Sequence, residues 1–199
     1  IVNLIGAAVH LDTTLASTLQ VLHHALRMER ATLTLLDETG QHLVIRASYG
    51  LSVEEEQRGV YGLSEGIYGQ GFSTASPVVV PDIHSEPLFL NRTGARTKIS
   101  KTTISLIGVP VMLAGTPVGV LSVDRLFGPE ISFEEDVRFL TVLATLIAQF
   151  LDLHRAIRKD RELLVQENLS LKEKLHSRYQ RHQIIARFHQ RKIGQCGER

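Results

Sequence analysis

Two nearly unbroken apolar runs, ISLIGVPVML (Ile104–Leu113) and VGVLSVDRLF (Val118–Phe127), are joined by only four residues, AGTP. A connection that short makes the runs antiparallel neighbours, and their β-branched content marks them as a hairpin. Their continuous apolar character asks for a central position in a sheet, covered on at least one face. A second hairpin precedes it, with ATLTLLDE (Ala31–Glu38) and HLVIRASYG (His42–Gly50) flanking a Thr39-Gly40 turn. PVVVPD (Pro77–Asp82) is a shorter strand limited at each end by proline. Asp12 can cap a helix in which Leu15, Leu19, Leu22 and Leu26 recur at helical spacing. Ser132 and Glu135 form a capping box for another helix, with Val137, Leu140, Leu143, Ala144, Ile147, Phe150 and Leu151 as its core stripe. Hairpins between terminal helices predict an α+β sandwich, an antiparallel sheet with helices packed on one face, not a doubly wound parallel sheet. Ile107 and Leu121 should then lie on adjacent strands.

Charge divides the chain in two. Residues 1–154 carry 10 Lys/Arg against 16 Asp/Glu, whereas residues 155–199 carry 12 against 5. Between Pro129 and Gly194 there is neither glycine nor proline, so the second part reads as one long basic helix. The expected organisation is a compact acidic domain over 1–154 and a helical linker or coiled coil over 155–199. No apolar run approaches the roughly 18 residues of a membrane helix, and no leader opens the chain. The only cysteine, Cys196, excludes a disulfide framework and a cysteine-rich metal knot, and fits a cytoplasmic setting. His10, His23, His24, His42 and His84 are scattered without ligand spacing. No nucleophile elbow, Cys/His pair or kinase motif set is present, which argues against an enzyme.

The glycine-rich stretch YGLSEGIYGQGF invites a phosphate-loop reading. A dinucleotide loop needs Gly-x-Gly-x-x-Gly between a long strand and a full helix. GIYGQG (Gly66–Gly71) has the spacing reversed, and only the short VYGL precedes it. The glycines serve tight turns into a short helix, or that helix forms one wall of a ligand pocket.

The order of elements, together with LSEGIYGQGFSTASPVVVPDI and GVPVMLAGTPVGVLSVDRLF, resembles the GAF domain from about Leu4 to Leu153. SEPLFLNRTGAR, FEEDVRFLTVLATLIAQFLDLHR and ENLSLKEKLHSRYQRHQIIA are similar to the sensor domain and linker of NifA-type activators, which work with sigma-54 RNA polymerase. In that family the sensor precedes an AAA+ ATPase and a helix-turn-helix. Here no Gly-x-x-x-x-Gly-Lys-Ser/Thr loop occurs, and FHQRKIGQCGER departs from the family pattern, so those modules are expected to be absent from this chain. The resemblance implies a regulatory domain for nitrogen fixation that binds a small effector, with 2-oxoglutarate favoured and no certain cofactor. Iron-holding and bilin-holding relatives use a cysteine within the domain, which this one lacks. A NifL- or PII-like protein is the alternative regulator, and a freestanding dimeric binding module or protein-interaction domain is the alternative function.

A connection of about twenty residues, Asp82–Thr103, has no periodic element, and such segments are usually functional. No acid occurs from Pro87 to Val123, while Arg92, Arg96, Lys98 and Lys101 do. Arginine forks match carboxylates and phosphates. The segment is either the counter-charge for an anionic effector or a solvated basic loop that meets an acidic partner. The candidate ligand-binding residues are Arg92, Arg96 and Lys101 of this segment, Asp82 at its start and Ile67 on the glycine helix. Arg46, Ser105 and Asp124 on the strands complete the set.

Ile157, Leu164, Leu171 and Ile185 fall on a seven-residue repeat broken by Arg178, and a second row holds Arg161, Asn168, Leu175 and His182. The helix either pairs in parallel with a second copy, with Asn168 as a register pin, or packs back on its own domain. Aromatic interleaving in the basic tail is thin, so direct nucleic-acid binding is not expected.

Overall fold

The computed structural model describes residues 2–26, 28–95, 104–126 and 132–194, with side chains placed for 11–23, 28–95, 104–125 and 132–174. It divides into two units, Ile1–Asp152 and Leu153–Arg199. The element order is α1 (Val2–Leu26), β1 (Arg30–Leu36), β2 (His42–Tyr49), α2 (Val53–Arg58), β3 (Val60–Gly62), α3 (Gly66–Ser73), β4 (Val78–Val80), β5 (Ile104–Leu113), β6 (Thr116–Leu126) and α4 (Phe133–Gly194).

The six strands form one sheet in the order β3-β2-β1-β6-β5-β4, and every neighbouring pair is antiparallel. The β5/β6 hairpin closes with Leu113 opposite Thr116. Both turn residues have positive φ, Ala114 at 48° and Gly115 at 82°, as a two-residue turn matched to strand twist requires. Ile107 pairs with Val123 and Val109 with Leu121, so Ile107 and Leu121 are on adjacent strands as expected. The β1/β2 turn is organised by Asp37, whose carboxylate accepts hydrogen bonds from the Thr39 hydroxyl and from the Gln41 and His42 amides.

Strand alternation sorts the sheet into two faces. On one, Ala31, Leu33, Leu35, Ile107, Val109, Val111, Leu121 and Val123 pack with Leu15, Leu19 and Leu22 of α1 and Leu140, Ala144, Ile147, Ala148 and Leu151 of α4. The first and last helices thus share a face, as expected. The other face is covered by α3: Tyr68 and Phe72 pack on Leu43 and Val120, and Ile67 packs on Ile104 and Leu106. Each fully buried Leu or Ile in these clusters contributes about 1.5–3 kcal/mol relative to exposure.

Three local readings change. Helix α1 begins at Val2, so Asp12 does not cap it but lies within it, paired with Arg46 at 2.9 Å. Helix α2 was not expected, although Ser52 and Glu55 form a complete reciprocal capping box at its start. An 18-residue window within Phe133–Lys174 of α4 reaches a mean hydropathy of 1.4, enough by length and composition to cross a membrane. Leu140, Ala144, Ile147, Ala148 and Leu151 of this helix belong to the domain core, while Phe139, Val142, Leu146 and Leu153 are exposed.

Candidate functional site

The α3 face of the sheet carries the candidate site. Gly66 opens α3 at φ 64°, a backbone that side-chain-bearing residues rarely adopt. Gly69 sits so close to the preceding turn that a Cβ there would lie 2.6 Å from the Ser64 carbonyl carbon. The glycine-rich sequence therefore serves a sharp entry and close packing of a short helix. Tyr61 and Tyr68 stack with ring centroids 4.4 Å apart. Beside them is a small hollow of about 10 Å³, lined by Tyr61, Gly66, Ile67, Tyr68, Phe89, Leu90 and Asn91. Asn91 Oδ1 is buried there and accepts no hydrogen bond from the described residues.

The connection after β4 is built from consecutive tight turns. Asp82 Oδ1 accepts the His84 amide at 3.0 Å, and the Asp82 carbonyl accepts the Ser85 amide and hydroxyl. Glu86 Oε1 accepts the Leu88 amide at 3.0 Å. Phe89 packs against Ile67, Val80, Ile83, Ile104 and Leu106, which draws the segment onto the sheet. Two arginines then clamp its backbone. Arg58 donates from Nε and Nη2 to the Thr93 carbonyl at 3.1 and 2.6 Å, and Arg30 donates to the Ala95 carbonyl at 3.0 Å and the Gly50 carbonyl at 3.2 Å.

Under the clamp, the sheet surface is polar and buried. Thr34 donates to the Val120 carbonyl at 3.1 Å, and Ser122 donates to the Tyr68 hydroxyl at 3.0 Å. Asp124, 2% exposed, faces Arg30 Nη1 at 4.0 Å. Arg30 and Arg58 were not among the expected residues. Arg30 is recoverable only from the β1/β6 register, which sets it opposite Asp124. Arg58 follows only from the docking of the loop.

The expected residues distribute as follows. Ile67 is buried and lines the hollow. Arg92 does not line it but follows the lining residue Asn91 and forms an ion pair with Glu65. Asp124 is on the same sheet face, beside Arg30. Asp82 is half-buried and organises the first turn of the connection. Arg46 is on the helix side of the sheet, engaged with Asp12. Ser105 also turns to that side, because its neighbours Ile104 and Leu106 belong to the α3-side cluster, and its hydroxyl donates to the Arg125 carbonyl at 3.1 Å. Arg96 and Lys101, with Lys98, lie outside the described residues. Among the described residues, no three His, Cys, Asp or Glu side chains are grouped as metal ligands.

A family model for the GAF domain matches residues 10–151. The chain belongs to the GAF domain family. Among curated proteins it is similar to the Nif-specific regulatory protein of Azospirillum brasilense, 38% identical over 175 residues, covering 87% of this chain and 28% of the relative. The Nif-specific regulatory protein of Herbaspirillum seropedicae is 38% identical over 184 residues, covering 92% of this chain and 34% of the relative. The chain thus spans about a third of the length of these regulators. Among solved structures, the GAF domain of A. aeolicus nlh2 in an inactive state superposes with a TM-score of 0.64 at 24% identity, covering 75% of this chain and 95% of that one. That likeness concerns the fold.

Proposed function

We propose that this GAF domain is the sensory input of a Nif-type transcriptional regulator and that it takes a small anionic effector, 2-oxoglutarate being favoured. Two lines support the reading: the relatives of the matched region are named as Nif-specific regulatory proteins, and the Arg92 guanidinium belongs to the residue next to Asn91, which lines the α3-side hollow. The second observation carries the ligand class, since an arginine fork beside an apolar hollow suits a molecule with one charged end. Arg92 supplies the counter-charge and Ile67 the apolar wall. In this reading residues 155–199 form a basic helical linker that pairs with a second copy and relays the effector state to ATPase and DNA-binding modules outside this chain. The role is regulatory and cytoplasmic, not catalytic.

Thermal unfolding with 2-oxoglutarate, other dicarboxylates, nucleotides and cyclic nucleotides tests the ligand class. A ligand that binds only the folded state adds about 2.7 kcal/mol at a hundredfold excess over its Kd. A shift with dicarboxylates that disappears in Arg92→Ala supports the reading. No shift with any anion, or a shift unchanged by Arg92→Ala, overturns it in favour of a protein regulator of the NifL or PII kind.

A further inference from the structure

Next to the lining residues Gly66 and Asn91, the chain itself supplies Arg92 with a carboxylate. Glu65 Oε2 accepts the Gly62 amide N–H at 2.9 Å, while Oε1 receives the Arg92 guanidinium. One amide and one guanidinium on the two oxygens is the donor pattern by which proteins bind a free carboxylate. The two side chains are 42% and 41% exposed, so the contact is open to exchange with solutes and weak by the standard of buried pairs. Consistent with a well-solvated anion, the Gly62 amide first and Arg92 second hold the Glu65 carboxyl below its ordinary range.

The described remainder of the segment has other anchors. Phe89 anchors it to the sheet, and Arg58 and Arg30 clamp the Thr93 and Ala95 carbonyls. Only the short stretch in front of the hollow is tied by Glu65. There Leu90 closes on the head of α3, where a Cβ on Gly66 would meet Leu90 Cδ1 at 2.9 Å.

We infer that the Gly62 amide and the Arg92 guanidinium form a carboxylate-recognition pair which Glu65 fills from within, and that a carboxylate-bearing effector binds by displacing Glu65. This deepens the anion-sensing reading and rests on it. Glu65 is then a competitor covalently tethered to its own site, so it sets the affinity threshold for the effector. Displacement frees the head of α3 from Arg92 while the clamped backbone behind it stays in place.

The test uses the whole 199-residue chain and the isosteric variant Glu65→Gln, which keeps an acceptor for Gly62 but loses the charge. Calorimetric titration with 2-oxoglutarate, glutarate and succinate should show affinity tightened by up to about fivefold, the range of an exposed ion pair. Adding 0.5 M salt should shrink that difference. Hydrogen exchange without any ligand should quicken over Leu88–Arg92 in the variant. Unchanged affinity or weaker binding in Glu65→Gln overturns the competitor role, because a purely structural Glu65 would lower stability without raising affinity. Faster exchange with no dicarboxylate binding to either form leaves a structural latch and overturns the recognition proposal together with the anion reading. Should Glu65→Gln fail to fold, exchange over Leu88–Arg92 in the wild type, measured with and without 2-oxoglutarate, decides the point. Ligand that leaves this exchange unchanged while it binds overturns displacement.

Discussion

At the residue scale, Asp37 is the group whose surroundings act most clearly on its charge. Desolvation pushes its carboxyl up, yet the Thr39 hydroxyl and the His42 and Gln41 amides outweigh it and bring the pKa from 3.8 down to about 2. A depressed folded pKa means that the turn's contribution is fully present above the unfolded value. It is lost as the pH falls from about 4 through about 2. NMR titration of the Asp37 carboxyl carbon should therefore give a midpoint near 2, and a midpoint near the ordinary value would show that the turn does not hold the ion. Gly69 supplies a steric counterpart. Helix propensity alone favours Gly69→Ala by up to about 1 kcal/mol, but the added Cβ would lie 2.6 Å from the Ser64 carbonyl carbon and 2.7 Å from the Gly62 oxygen. Backbone atoms yield little, so overpacking prevails and the substitution should cost about 1–3 kcal/mol. A scan of thermal unfolding that shows Gly69→Ala equal to or more stable than wild type would count against the close packing of α3.

At the element scale, α4 separates a buried face from an exposed one within the first unit. Leu140 is fully buried, while Val142, two residues on, is 61% exposed. Leu140→Ala should cost about 2–5 kcal/mol, and Val142→Ala should stay within about 0.5 kcal/mol; denaturant titration of the pair checks the orientation of the helix. That face was legible in the sequence, because a three-and-four spacing of apolar residues survives any tertiary arrangement. The β5/β6 hairpin was legible for a similar reason, since so short a connection makes its strands pair with each other. Other elements were misread where local chemistry has two uses. Asp12 has the composition of a cap, yet α1 already begins at Val2, and its carboxylate pairs instead with Arg46 on the same side of the sheet. The Ser52–Glu55 capping box was present in the letters but starts a helix of only six residues, too short to show periodicity. Ser105 could not be assigned to the helix side in advance, because the strand around it is apolar on both faces. Nor could Arg30, because the β1/β2 pairing shifts at Leu33/Thr34 and strand parity is settled only by tertiary register.

At the scale of the whole molecule, the second unit poses the remaining physical question. A single helix gains little stability from propensity in water and relies on burying an apolar face. Here Ile157, Leu163, Leu164, Val165, Leu169 and Leu171 are all more than half exposed. Ile157, Leu164 and Leu171 are spaced by seven residues, and Asn168 stands in the neighbouring row with Arg161. Spacing of that kind suits a parallel pair of helices, in which apolar residues form one seam and a lone Asn fixes the register. Each Leu or Ile buried in such a seam contributes about 1.5–3 kcal/mol per chain, so even a weak seam can outweigh the entropy of association. The proposed relay rests on the same feature, since α4 runs as one helix from Phe133 to Gly194 and paired helices adopt discrete registers rather than a continuum. Sedimentation equilibrium decides the matter. The 199-residue chain should dimerise, and a fragment ending at Asp152 should associate more weakly. Asn168→Leu should tighten the dimer while relaxing its register, seen as a broadened distance distribution between spin labels placed on the two copies. A chain that remains monomeric at every concentration up to the high micromolar range would remove dimer-based relay from the proposed mechanism.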